Sequence, residues 1–164
     1  MHRFDIDPTT GSFVHAPIKG LETTSCEFPL ANAFRHVPRS PAIKSDIFYL
    51  MAAQPSVAQP FTDVVKYNAG TGHVSRWHSE GVCGEPCFIP RLGRASAWHG
   101  DEDDGYVIVQ VFRHLEGRVE FCVLDAKQIH AGPVCRIKLP VHLSIGFHGT
   151  WTDEVFAQRP AAKL

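Results

Sequence analysis

No apolar run in the sequence approaches the roughly 20 residues that a helix needs to cross a bilayer. A basic block is also missing: 16 Lys and Arg face 17 Asp and Glu, for a formal net charge of -1. Nucleic acid is therefore not expected as a partner, because neutralising phosphates takes clustered Lys and Arg. The opening stretch, MHRFDIDPTTGSF, has neither an apolar centre nor a small-residue cleavage pattern, so no secretory signal is read there. It does not look like the start of a domain either. RFDIDPTTGSF reads as half a strand running into a turn, as though the chain were entered midway, and a truncated or partial copy is expected.

A regular cysteine framework is lacking too. The five cysteines, at 26, 83, 87, 122 and 135, are odd in number, which favours free thiols in a reducing compartment such as cytoplasm or plastid. Cys83 and Cys87 are spaced C-x3-C, and Cys26 with a histidine could join them around zinc. That is the weaker reading, since structural zinc sites bring two close pairs, and Cys122 and Cys135 lie in strand-like segments where buried thiols are common.

Helical periodicity is nearly absent. In its place stand short runs of β-branched and aromatic residues separated by turn chemistry. DIFYLMA (46–52) is an apolar strand. DVVKY (63–67) leads through NAGTG into HVSRW, a hairpin with glycines where positive φ is needed. EPCFI (85–89) is short between prolines. GYVIVQVFR (105–113) and RVEFCVLD (118–125) form the clearest pair, followed by VCRIKLP (134–140) and SIGFHG (144–149). With 164 residues, 44% hydrophobic and 20% charged, the chain suits one globular domain. The expectation is an all-β, antiparallel fold of about two groups of four strands: a sandwich, a barrel or propeller blades.

Ten histidines is a high count. His2, His15, His36, His73, His78, His99, His114 and His130 fall in turn-like or exposed positions, and His142 lies near Pro140 at a strand start. No H-E-x-x-H or H-x-H pair supplies two ligands from one element. His148, in GFHGTW (146–151), stands out at what reads as the mouth of a strand. Three acidic positions are odd as well. Glu27 opens EFP, Glu85 opens an apolar strand in GEPCFIP, and Asp103 and Asp104 in EDDGY read as a solvated turn before a very apolar strand. A carboxylate entering an apolar element must be paired or hydrogen-bonded. One use for such an acid is to accept the free N–H of a metal-bound histidine.

The ordered series CEFP, VVKY, GEPCFIPR, EDDGYV, VLDA, RIKLP and GFHGTW resembles the C-terminal part of the carotenoid cleavage oxygenases, which include stilbene- and apocarotenoid-cleaving enzymes and the retinoid isomerase. The resemblance runs from about Phe4 to Trp151. It implies a seven-bladed β-propeller, of which residues 1–164 would form about two blades and part of a third. It also implies a non-haem iron(II) held by four histidines, with three glutamates behind three of them. His148 falls on the last ligand, and Glu85 and Glu27 fall on two of the glutamates. Glu85 is expected to back His148, with Gly146 and Gly149 leaving room for the backbone. Glu27 should point to the same cavity without its histidine. The implied substrates are a carotenoid or other polyene and dioxygen, with any peripheral membrane contact coming from missing upstream parts. This chain holds one of the four histidines, so alone it is expected neither to hold iron tightly nor to cleave a carotenoid. Leu30 stands where a basic residue is usual in the family. Two other readings share these residues: a non-catalytic propeller-derived module that binds an apolar ligand or partner, and a retinoid isomerase.

Overall fold

A computed structural model describes residues 1–32, 45–91, 101–144, 146 and 148–152. His36 and His99 lie outside the described residues. Among the described residues eleven strands run in chain order: β1 His2–Ile6, β2 Phe13–Pro17, β3 Cys26–Leu30, β4 Ile47–Ala53, β5 Phe61–Asn68, β6 Val74–His78, β7 Val82–Cys83, β8 Cys87–Pro90, β9 Gly105–Arg113, β10 Arg118–Asp125 and β11 Pro133–Lys138. The helical elements among the described residues are two 3-10 turns, His114–Glu116 and Ile129–Ala131. Every strand pairing is antiparallel. The strands form a β1–β2 hairpin, a sheet ordered β3-β4-β5-β6, and a sheet ordered β11-β10-β9-β7 in which β8 also pairs with β9. The all-β expectation holds, and two four- to five-stranded sheets plus a hairpin match two blades and part of a third.

Strand burial explains the sequence pattern. Residues 47–53, IFYLMAA, are almost continuously buried because their sheet is covered on both faces. One face, with Tyr49, Val64 and Trp77, meets Val107, Val109, Val111, Cys122 and Leu124 of the other sheet. The opposite face, with Leu50, Val65 and Tyr67, is covered by Ile18 and Leu21. Strand β9 alternates instead. Val107, Val109 and Val111 are buried, whereas Tyr106, Ile108, Gln110 and Phe112 are half-buried on a face that no third sheet covers among the described residues.

All five cysteines are free. Burial pushes the Cys83 thiol up to about 12 and the Cys122 thiol up to about 11, so both remain neutral core side chains. Cys83 sits in the core between the sheets, while Cys87 lines a cavity on the other side of the same edge. The two therefore point apart, which removes the geometry that a zinc site would need.

Asp103 corrects the solvated-turn reading. Its carboxylate lies 2.6 Å from Nζ of Lys66, a buried lysine that also donates to the carbonyl of Ala126 at 2.9 Å. The acid is needed there because an unpaired buried ammonium would cost several kcal/mol, on the order estimated for buried ions.

Gly105 opens β9 where a Cβ would meet the carbonyl oxygen of Ile89 and, at 2.6 Å, Cζ of Phe88. Backbone on one side and a buried ring on the other leave no room to give. Gly105→Ala should lower stability by about 2–3 kcal/mol through overpacking. Urea unfolding of the two proteins checks this, and an unchanged midpoint would contradict the packing described.

Candidate metal centre

Both glutamates singled out in the sequence sit where an edge strand is interrupted. Strands β7 and β8 run along the same side of β9, pairing with Val111 and Phe112 and then with Gly105 to Ile108. Between them lies Gly84-Glu85-Pro86. Gly84 N–H still donates to the Gln110 carbonyl at 2.8 Å, but Pro86 has no N–H to offer, so the ladder breaks there. The break lets Glu85 leave the sheet plane. Glu27 lies in β3, the edge of the other sheet, where the register slips between Glu27 and Leu30.

That slip has a second consequence. Phe28 sits in it with φ 52°, a left-handed conformation that costs a non-glycine residue about 1–2 kcal/mol. The strained backbone brings its ring edge-on to the imidazole of His148, with centroids 5.1 Å apart and planes at 74°. No sequence signal pointed to Phe28, because a positive φ at an aromatic residue follows from the bulge and not from composition.

His148 is brought to Glu85. Its Nδ1 lies 3.5 Å from Glu85 Oε2, and the same oxygen accepts the Gly149 N–H at 2.9 Å. The Glu85 side chain is mostly buried, at 17% exposure, and that of His148 is open at 66%. The carboxylate therefore holds both the backbone at Gly149 and the side of the ring that faces it. A proton on Nδ1 is favoured by the facing charge, which leaves the lone pair on Nε2.

The segment differs from its expected strand form. Its described residues belong to no strand, and the Gly149 N–H is spent on Glu85 instead of on a ladder. A Cβ at Gly146 or Gly149 would meet nothing within 4 Å, so the expected steric need for these glycines is not seen among the described residues.

Two cavities adjoin at Glu85 and Gly146. The first, of about 450 Å³, is bounded by His148, Cys87 and Trp151 and by the apolar side chains of Ile89, Ile108 and Phe121. The second, of about 280 Å³, takes in Glu27, Phe28, Met51 and Phe61. Glu27 thus shares a space with Glu85, and among the described residues no histidine lines that second space. Burial, and after it the Glu85 carboxylate, raises the Cys87 thiol, which keeps it neutral beside the first cavity.

The residues present fit one imidazole position and its orienting carboxylate. They do not make a complete centre: among the described residues no group of three or more His, Cys, Asp or Glu is placed to hold a metal ion.

Known proteins resemble this chain over most of its length. The family described as retinal pigment epithelial membrane protein matches residues 1–153. Lignostilbene-alpha,beta-dioxygenase isozyme III of Sphingomonas paucimobilis is 27% identical over 93% of this chain, which covers 32% of that protein. Apocarotenoid-15,15'-oxygenase of Synechocystis is 29% identical over 92% of the chain, which covers 29% of it. The crystal structure of the cobalt-substituted Synechocystis oxygenase superposes with a TM-score of 0.75 at 27% identity, over 92% of this chain and 29% of that one. The chain thus spans about a third of the length of these relatives.

Proposed function

The chain belongs to the family of retinal pigment epithelial membrane protein and the carotenoid oxygenases, and on that premise we propose that it is the C-terminal part of an iron(II)-dependent oxygenase that cleaves a carbon–carbon double bond of a carotenoid, apocarotenoid or other conjugated substrate. The observation that carries this reading is the single oxygen of Glu85 that both faces Nδ1 of His148 and holds the Gly149 N–H at the mouth of an apolar cavity. Relatives named for lignostilbene and apocarotenoid oxygenation support the reaction class, and the cobalt-substituted form of one of them supports a metal site in that fold.

In this reading Nε2 of His148 is the iron ligand, and Glu85 sets its tautomer and ring direction. Glu27 does the same for a histidine supplied by the rest of the protein. Iron(II), when bound, supplies the redox chemistry by which dioxygen reacts with a carbon–carbon double bond. Ile89, Ile108 and Phe121 offer a conjugated apolar chain a dry surface beside His148 and keep water away. The edge-on Phe28 ring limits the swing of the imidazole. Five free thiols suit a reducing intracellular compartment.

One imidazole binds iron weakly, so the test is local. Anaerobic iron(II) titration of the 164-residue protein, followed by paramagnetic broadening of histidine ring signals, should broaden His148. Glu85→Gln should weaken that binding about 10–100-fold. Broadening that spares His148, or an affinity indifferent to Glu85→Gln, would count against the site. Tight stoichiometric iron would show that this chain completes a centre by itself.

A further inference from the structure

The β1–β2 hairpin stands outside both large sheets, and all its residues are exposed. We propose that its two histidines, His2 and His15, form a chelating site for a divalent late first-row metal ion of tetragonal preference, Cu(II) or Ni(II). The register pairs Phe4 with His15 and His2 with Pro17, which makes His2 and His15 diagonal neighbours on one face. Nε2 of His15 lies 2.8 Å from Nδ1 of His2.

Both rings are held in place. His15 stacks on Phe4 with centroids 4.5 Å apart and planes at 14°, and on His2 at 4.7 Å and 29°. These stacks restrict rotamers that a chelate would otherwise have to freeze, so less entropy is lost on binding. Of two imidazole nitrogens sharing a hydrogen bond, one donates and the other accepts. The proton between them keeps one of the two facing lone pairs from a cation, and on coordination the donor ring carries that proton on its other nitrogen, so both imidazoles bind as neutral ligands.

Affinity order selects the metal. Metal–imidazole bonds of about 2.0 Å put two cis nitrogens roughly 2.8 Å apart in a tetragonal site, and roughly 3.3 Å apart in a tetrahedral one. The hydrogen-bonded separation of 2.8 Å lies within a few tenths of an ångström of both, so little movement is needed, and the rise in affinity toward nickel and copper along the first row favours those ions. Neither histidine lines the cavities around Glu85, so the proposal does not draw on the iron reading.

Ni(II) is the probe, since it leaves the exposed Cys135 thiol unoxidised. It is titrated into the full 164-residue protein and followed by calorimetry and by broadening of ring signals. One site is expected, broadening His2 and His15 together. His2→Ala and His15→Ala should each weaken it at least about 10-fold, with unchanged circular dichroism, and His73→Ala, at an exposed turn, should leave it intact. Wild-type affinity in His15→Ala would overturn the proposal, whatever else His2 binds with. An equal loss in His73→Ala would mean scattered surface binding and would overturn it too.

Discussion

Glu120→Ala should lower the stability of the chain by about 3–5 kcal/mol, the cost of leaving a buried charge without its partner. Glu120 is on the core-facing side of β10, in line with Cys122 and Leu124, and is 1% exposed. Its Oε1 accepts Arg113 Nε at 2.7 Å and Arg136 Nη1 at 2.6 Å. Arg113 is itself buried, and its other partner is Glu80 at 3.1 Å, a carboxylate open to solvent. Truncating Glu120 therefore strands the Arg113 guanidinium, while Arg136 can turn to water. Urea midpoints measure the effect. The double variant Glu120→Leu/Arg113→Met should recover most of the loss, because a well-packed apolar pair of similar volume replaces a buried ion pair at little cost. A single variant within about 0.5 kcal/mol of wild type, the range of ordinary surface changes, would contradict the burial of this pair.

The same pair gives a pH dependence with a definite sign. Burial pushes the Glu120 carboxyl up, but hydrogen bonds from Arg113 and Arg136 outweigh it and hold the group below the ordinary carboxylate range. A carboxyl lowered in the folded state contributes stability above its unfolded pKa, near 4.3, and loses it as pH falls through the folded value. The gap in urea midpoint between wild type and Glu120→Ala should be full at neutral pH and shrink below about pH 4.

The strands were legible because period and burial agree. GYVIVQVFR and RVEFCVLD coincide residue for residue with β9 and β10, and RFDIDPTTGSF is the first strand and turn of the β1–β2 hairpin. What stayed hidden were charges whose partners lie far along the chain. Asp103 reads as turn polarity until Lys66, 37 residues away, is seen beneath it. Likewise Asp63, in the apolar run DVVKY, is fully buried because it accepts Arg76 at 2.6 Å and His78 at 2.7 Å. His78 is exposed as expected, but it ends β6 and is held by a buried acid. His2 and His15 read as isolated exposed residues for the same reason: only the hairpin register makes neighbours of residues 13 apart. At the candidate centre, the motif order named His148, Glu85 and Glu27. The broken edge between β7 and β8 and the left-handed Phe28 emerged only from the backbone.

Grafting residues 1–152 in place of the matching stretch of Synechocystis apocarotenoid oxygenase should give a chimaera that retains iron and cleaves an apocarotenoid. The superposition, with a TM-score of 0.75 over 92% of this chain, makes the seam feasible. In that setting His148→Ala should cut cleavage by more than about 100-fold, beyond the range seen when a partner behind a ligand is lost. Glu85→Gln should fall within that range, and its iron loss should track its activity loss. Glu27 separates the two settings. Glu27→Gln should be silent in the isolated chain, where no histidine among the described residues lines its cavity, and costly in the chimaera if the host supplies the imidazole that the proposed reading has Glu27 orient. Iron content and circular dichroism distinguish a misfolded graft from an inactive one. A folded chimaera that keeps its iron and its cleavage rate after His148→Ala would remove His148 from the centre, and with it the reading of this chain as the oxygenase's C-terminal part.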